Sequence, residues 1–367
     1  MRHFRGGRLR PRRLGAAASV GTLVFVLLAP GQAVAGKKLT VCPGGPPACE
    51  YTTIADALDA ASDGDLIAIH PGTYDGGVQI DKSVVLSGAG ASNTTIEGGP
   101  ENVVLAVSPD VQVKVKNVTI TGGHGGGEAN GIVNDGTLTL VNSAVSRNGD
   151  GFADTGGVLN NGTLTLDGST VSDNVGSFTG GILSFGTLTL THSTVVNNRS
   201  SHSGGGIHNL GKLKASYSTI SGNYGVTGGG IANDGMATIR YSTISDNAAD
   251  EGGGIANVGT LIVRQSAIDD NESVFGSGGG LSNGGTDGIA TLVDTTISGN
   301  TSVHQGGGIH NEFGGMLTLR FSTVTGNTAQ DSTGRGIYGG GIYNNLATVT
   351  LDRSSVTGNT PDDCVGC

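Results

Sequence analysis

The residues best suited to chemistry form an acidic run: Asp246, Asp250, Glu251, Asp269, Asp270 and Glu272. Asp246 and Asp270 hold the same place in two consecutive repeats, each just before an asparagine. Stacked repeats would set their carboxylates about 5 Å apart. Two like charges that close either share a cation or hold a proton. A set of hard oxygen donors invites Ca²⁺, with Asp250 and Glu251 as further ligands. The first expectation is plainer, a solvated acidic edge that keeps an elongated molecule soluble, and it implies no cofactor.

Two other groups compete for attention. His202 with His208, and His304 with His310, repeat one spacing. Two ligands make a poor zinc site, so these histidines are expected to decorate the surface. Phe152, Phe178, Tyr224 and Phe275 fall in loops that project from one edge, near the outward positions Val133, Leu159, Leu183 and Tyr343. Rings presented there could meet sugar faces or a partner protein, or fold over their own loops.

The elements that position these residues are legible as a repeat. From Val113 to Asn359 the chain rewrites one text: Gly-Gly-Gly-Ile-x-Asn, an alternating Leu-Thr-Leu, then Ser-Thr-Ile-Ser-x-Asn. The closing asparagines are 148, 174, 198, 223, 247, 271, 300, 327 and 359. Extra residues enter between each closing Asn and the next Gly-Gly. Leucine-rich repeats have a similar period but need a convex segment that the glycine text does not supply. The pattern fits an all-β fold, a right-handed single-stranded parallel β-helix of about twelve coils with three short strands per coil. Leucines then point inward and threonines outward. Ile132, Ile207, Ile231, Ile255, Ile309 and Ile342 form one interior column, and Val145 through Val356 another. The recurrent asparagines, poor strand formers, read as two hydrogen-bonded ladders at corners near the left-handed region. One ladder is Asn134, Asn160, Asn209, Asn233, Asn257, Asn283, Asn311 and Asn344; the closing asparagines are the other.

The periphery follows. Residues 1–35 read as a signal peptide: six arginines, an apolar run, then Ala33-Val34-Ala35. Arg12-Arg13 hints at twin-arginine rather than Sec export. Residues 36–64 are expected to form a cap with a short helix over Thr52–Gly64, opened by Thr53 and Asp56. Residues 65–359 would be the solenoid and 360–367 a tail. Beyond Ala35 the chain holds 14 basic and 30 acidic residues, a net charge of −16. That argues against nucleic acid and makes an anionic polymer an awkward ligand. No transmembrane segment is expected in the mature chain. The four cysteines fit an oxidising compartment. Stacked coils separate the chain ends by far more than the roughly 7 Å a disulfide spans, so Cys42 should pair with Cys49 and Cys364 with Cys367.

The opening Gly64-Asp65-Leu66-Ile67 through Pro71-Gly72-Thr73-Tyr74 resembles the first coil of secreted bacterial pectin-lyase-like β-helix proteins. The Gly-Gly-Gly-Ile and Ile-Ser-x-Asn texts are similar to the repeats of polymorphic outer-membrane adhesins. Ile or Val stands where those repeats carry Phe, and no membrane barrel is expected to follow. The resemblance covers Tyr51 to Asn359 and implies the fold far more specifically than any function. Polygalacturonases of the superfamily would add Asn-Thr-Asp, Asp-Asp, Gly-His-Gly and Arg-Ile-Lys on successive coils. Only Gly123-His124-Gly125 is in place, and Asp269-Asp270 lies far downstream. Pectate lyases would need an arginine base beside Ca²⁺, and Arg240 and Arg264 stand a strand away from Asp246 and Asp270. The expectation is therefore a secreted or cell-surface scaffold that binds a polysaccharide or a surface protein without catalysis. A polysaccharide lyase or glycoside hydrolase is the alternative, and a structural envelope protein the third reading.

Overall fold

Leu138 and Leu140 are fully buried while Thr137 is exposed, and this alternation builds every coil. Its strand, Thr137–Val141, pairs in parallel with Gln112–Lys116 on one side and Thr163–Asp167 on the other. The computed structural model describes residues 36–100, 103–330 and 338–367. The expected signal, 1–35, lies outside the described residues. Strands stack into a first sheet of 13 strands, from Lys38–Val41 to Thr348–Asp352. A second sheet of 12 runs from Gly72–Asp75 to Ser355–Thr357, and a third of 12 from Val78–Ile80 to Cys364–Val365. The result is an all-β parallel solenoid of about 13 turns with almost no helix. The three sheets enclose one core, in which the isoleucines of the third sheet and the Val145-to-Val324 column of the second are at most 1% exposed.

A fourth sheet was not foreseen. Seven short strands, from Val175–Gly176 to Thr328–Ala329, begin right after the closing asparagines. The inserted segments are thus a stacked cover, so the middle coils carry four strands rather than three. This cover lies over the third sheet: the Phe178 ring packs 5.1 Å from His208, and Ser282 Oγ donates to Glu251 at 2.9 Å. The Gly-Gly step allows the return. A Cβ at Gly230 would lie 2.7 Å from the Gly254 carbonyl and 3.0 Å from Asn247, closer than packed atoms permit.

The ladders form, with a different corner geometry. From Asn174 on, each closing asparagine accepts through Oδ1 both the backbone N–H and the Nδ2 of its counterpart one coil earlier, as Asn247 does from Asn223 at 3.0 and 2.9 Å; Asn148 accepts the Gly123 N–H instead. The left-handed residue is not the asparagine but the one before it: Arg147, Asp173, Asn197, Asp246 and Asp270 have φ of 54–56°, and glycines serve at 222, 299, 326 and 358. The other ladder sits at the ends of third-sheet strands, in extended backbone. A third ladder had gone unread. The serine opening each Ser-Thr text accepts the backbone N–H of its counterpart one coil earlier, as Ser242 does from Ser218 at 3.1 Å.

Both ends differ from expectation. Lys38–Val41 already pairs with Leu66–Ile69, so the solenoid starts before the helix. The helix is Ile54–Ala60, capped by Thr53 accepting from the Asp56 N–H, and it stops short of Gly64. It buries Ile54, Ala57 and Leu58 against the first coils. At the other end Cys364–Val365 joins the third sheet, so the 360–367 segment is no loose tail. The disulfides pair Cys42 with Cys49 and Cys364 with Cys367, at Cα separations of 5.8 and 6.1 Å. Among the described residues no helix is long and apolar enough to cross a membrane.

Candidate functional site

The acidic run does not assemble as a quartet. Asp246 and Asp270 stand at left-handed turn positions that glycine fills in other coils, which accounts for an Asx-type residue there without a ligand. They raise the pKa of Asp269, after the larger effect of burial. Asp250 is half-buried in the cover strand Ala248–Glu251, and Glu251 points elsewhere, to Ser282. Among the described residues the one group of three close enough to hold an ion is Glu251, His310 and Glu312, with ligand atoms within 4.8 Å of one another. The structure does not bring Asp246, Asp270, Asp250 and Glu251 together as one ligand set: the first two stand at turn positions, and Glu251 turns toward Ser282.

The histidines also need correcting. His208 and His310 are 4% and 5% exposed, because the cover roofs the positions taken as outward. His208 Nε2 lies 2.7 Å from Asp234 Oδ2. Under the same roof Leu159 and Leu183 join Ala129 in a second apolar cluster, with Val133 against it. Beside it a cleft of about 280 Å³ is lined by Leu159, Leu183, Phe185 and Asn161, with the carboxylates of Glu128 and Asp154. His124 lines a neighbouring cleft of about 230 Å³ that shares Glu128. The aromatic row is not one surface. Phe178 is engaged by His208, and the Arg199 guanidinium sits 4.7 Å over Tyr224. Phe152 and Phe275 keep free rings, 81% and 70% exposed. They belong to cover segments five coils apart, about 24 Å at the stacking distance.

A different surface had been overlooked. The first sheet and the turn that follows it carry nine of the 14 basic residues beyond Ala35: Lys38, Lys114, Lys116, Lys212, Lys214, Arg240, Arg264, Arg320 and Arg353. Only Asp167, Asp294 and Asp352 oppose them there. Lys212, Lys214, Arg240 and Arg264 are exposed on three successive coils, and Arg240 and Arg264 are register partners. In the adjoining turn His192, Tyr217 and Tyr241 stack. Centroids are 5.2 and 4.9 Å apart, and the rings lie within 10° of parallel. All three have φ near 50°, where a bulky side chain strains the backbone; Asn142 and Gly168 hold that place in earlier coils. Stacking returns about 0.5–1.5 kcal/mol per pair and keeps the ring edges and hydroxyls in solvent. The signal was available in the residue before each Ser-Thr text, which reads His, Tyr, Tyr and later Phe321.

No family model matches the chain, and no curated protein does. Among solved structures it is similar to pectate lyase Pel9A, at 14% identity and TM-score 0.49, covering 90% of this chain and 80% of that one. The alginate lyase from Paenibacillus sp. str. FPU-7 gives 12% and 0.38, with 86% and 99% covered. The A-module of the Azotobacter vinelandii mannuronan C-5 epimerase AlgE6 gives 16% and 0.40, with 84% and 94% covered. The stacked parallel sheets make the fold a parallel β-solenoid. At such identities the likeness is one of fold. In this solenoid the exposed groups that converge on three coils are ammonium, guanidinium and phenol, a set suited to holding carboxylates.

Proposed function

We propose that the protein is a secreted or surface scaffold that binds an acidic polysaccharide along the outer face of its first sheet, without cleaving it. The observation that carries the reading is the strip of Lys212, Lys214, Tyr217, Arg240, Tyr241 and Arg264, exposed on adjacent coils of a chain that is otherwise strongly acidic. Net charge had counted against an anionic polymer. The charge is segregated, however, and a local field over a few coils governs contact once solvent ions screen beyond about 8–10 Å. Arg240 and Arg264, about 4.8 Å apart, offer paired donors to a carboxylate. The tyrosine hydroxyls beside them can bond sugar hydroxyls. Strained turn residues that bear rings, where asparagine or glycine would cost less, support a role beyond folding.

Calorimetric titration with polygalacturonate and alginate, against neutral dextran, tests this. The acidic polymers should bind and dextran should not, with affinity falling as salt rises. Arg240→Ala with Arg264→Ala should weaken binding at least about tenfold, since hydrogen bonds to charged groups contribute about 1.5–3 kcal/mol each. Phe152→Ala should leave it unchanged. Equal affinity for dextran, or an unaffected double variant, would end the proposal. Unsaturated or reducing ends in the polymer would instead make the protein a lyase or hydrolase.

A further inference from the structure

Four coils beyond His208, His310 occupies the same register position and is just as buried, yet its surroundings differ. His208 is satisfied by Asp234 at 2.7 Å. His310 has no such partner. Its Nδ1 is buried without a hydrogen bond. Its Nε2 faces Glu312 Oε2 at 3.7 Å, beyond hydrogen-bond reach. A buried ring nitrogen left without a hydrogen bond is costly, since an unmade bond costs about 1–3 kcal/mol.

The neighbours on the Nε2 side suggest a ligand for that nitrogen. Glu312 is two residues on in the strand Ile309–Glu312, so it shares the outer face with His310. Glu251 ends the cover strand Ala248–Glu251, and Ser282 Oγ donates to its Oε1 at 2.9 Å. Ser282 is the register partner of His310, so this bond steers the carboxylate toward the imidazole. On the other side the Tyr343 ring stacks at 5.6 Å and fixes the ring plane. No lysine or arginine among the described residues pairs with either glutamate. Two carboxyl groups and an imidazole thus converge with no lysine or arginine beside them.

We propose that Glu251, His310 and Glu312 bind a divalent transition-metal ion of the Zn²⁺ class, with water completing the coordination on the exposed Glu251 side. The ligand atoms span up to 4.8 Å. Bonds of about 2.0–2.1 Å would bring them to about 3.3 Å apart, a closure that the exposed Glu251 side chain can make by a rotamer change. A mixed nitrogen and oxygen set favours Zn²⁺ over Ca²⁺ or Mg²⁺, which take oxygen ligands. The serine on Glu251 is the kind of outer partner that holds a ligating carboxylate in place. The site lies on the third sheet and its cover, apart from the cationic strip, and does not depend on it.

The full chain, stripped of metal with a chelator, is titrated with Zn²⁺ against a chromophoric competitor. One equivalent should bind tightly and raise the melting temperature. Glu251→Gln and Glu312→Gln, both close in shape to the native side chains, should each weaken binding at least about tenfold. His310→Ala should abolish it, and His208→Ala should leave it intact. A cobalt-loaded sample should show visible bands of low-coordinate N/O ligation that Glu251→Gln perturbs. Absence of stoichiometric binding at micromolar Zn²⁺ overturns the proposal. So does binding that survives both glutamine variants, or full displacement by equimolar Ca²⁺.

Discussion

Each ladder asparagine bonds along the solenoid axis, so a single missing amide is felt in two coils. In the third sheet the series Asn134, Asn160, Asn209 and onward is broken once, by Ser184. Asn160 Nδ2 donates to Ser184 Oγ at 2.9 Å, but the hydroxyl does not reach the next coil, and Asn209 Oδ1 is left buried and unbonded. Everywhere above, an Nδ2 fills that place, as Asn209 donates to Asn233 at 2.7 Å. Ser184→Asn should therefore stabilise the protein. The flanking coils carry Asn on matching backbone, so the larger side chain has room. Restoring one buried bond predicts a gain of about 1 kcal/mol in denaturant unfolding. A loss of stability would mean that the backbone at 184 differs from that of its neighbours. The sequence revealed which asparagines form ladders because their period is fixed. It was less clear which residue turns the corner, although Gly222, Gly299 and Gly326 stand just where Asp246 and Asp270 do.

At the scale of elements, the cover sheet decides what is inside and what is outside. Period-2 alternation correctly placed the interior columns, because one face of each strand meets the core. It assigned the opposite face to solvent, and on the third sheet this failed. Leu159 and Leu183 are 4% and 5% exposed beneath the inserted segments. The text held a hint, since Val133, Leu159 and Leu183 are apolar at a place where a solvated strand would carry threonine. The insertions vary in length, so nothing periodic foretold that they pair with one another. For the same reason Glu251 could not be brought to His310 from spacing alone, whereas Glu312, at i+2, could have been. The consequence is measurable. Leu183→Ala should cost about 2–3 kcal/mol, as a buried leucine does, whereas an exposed one would change stability by about 0.5 kcal/mol or less. Thr189→Ala, on the uncovered first sheet, serves as the comparison, and equal small effects from both would mean that the cover opens readily.

Over the whole molecule, stability should be graded from end to end, because each coil of a solenoid is held by its two neighbours. The first coils lie under the helix Ile54–Ala60, whose Ile54, Ala57 and Leu58 complete their core. Among the described residues no helix lies over the coil of Thr348–Thr357. Thr348–Asp352 and Ser355–Thr357 are the final strands of the first and second sheets, and only the third sheet gains a further strand, Cys364–Val365. Leu351 is 43% exposed and Val349 and Val356 are half-buried, whereas Leu319 and Val324 one coil earlier are fully buried. Local opening of that coil forfeits little apolar burial, so its amides should exchange with solvent through fluctuations far smaller than global unfolding. Hydrogen exchange followed by mass spectrometry should find peptides across Thr348–Thr357 exchanging at least about tenfold faster than those across Thr187–Val196, a gap of about 1.4 kcal/mol in opening free energy. Leu58→Asp should expose the other end and speed exchange in Lys38–Val41 and Leu66–Ile69, while leaving the last coil as it was. Uniform protection along the rod would contradict this, because it would require all 13 strands of the first sheet to open as a single unit.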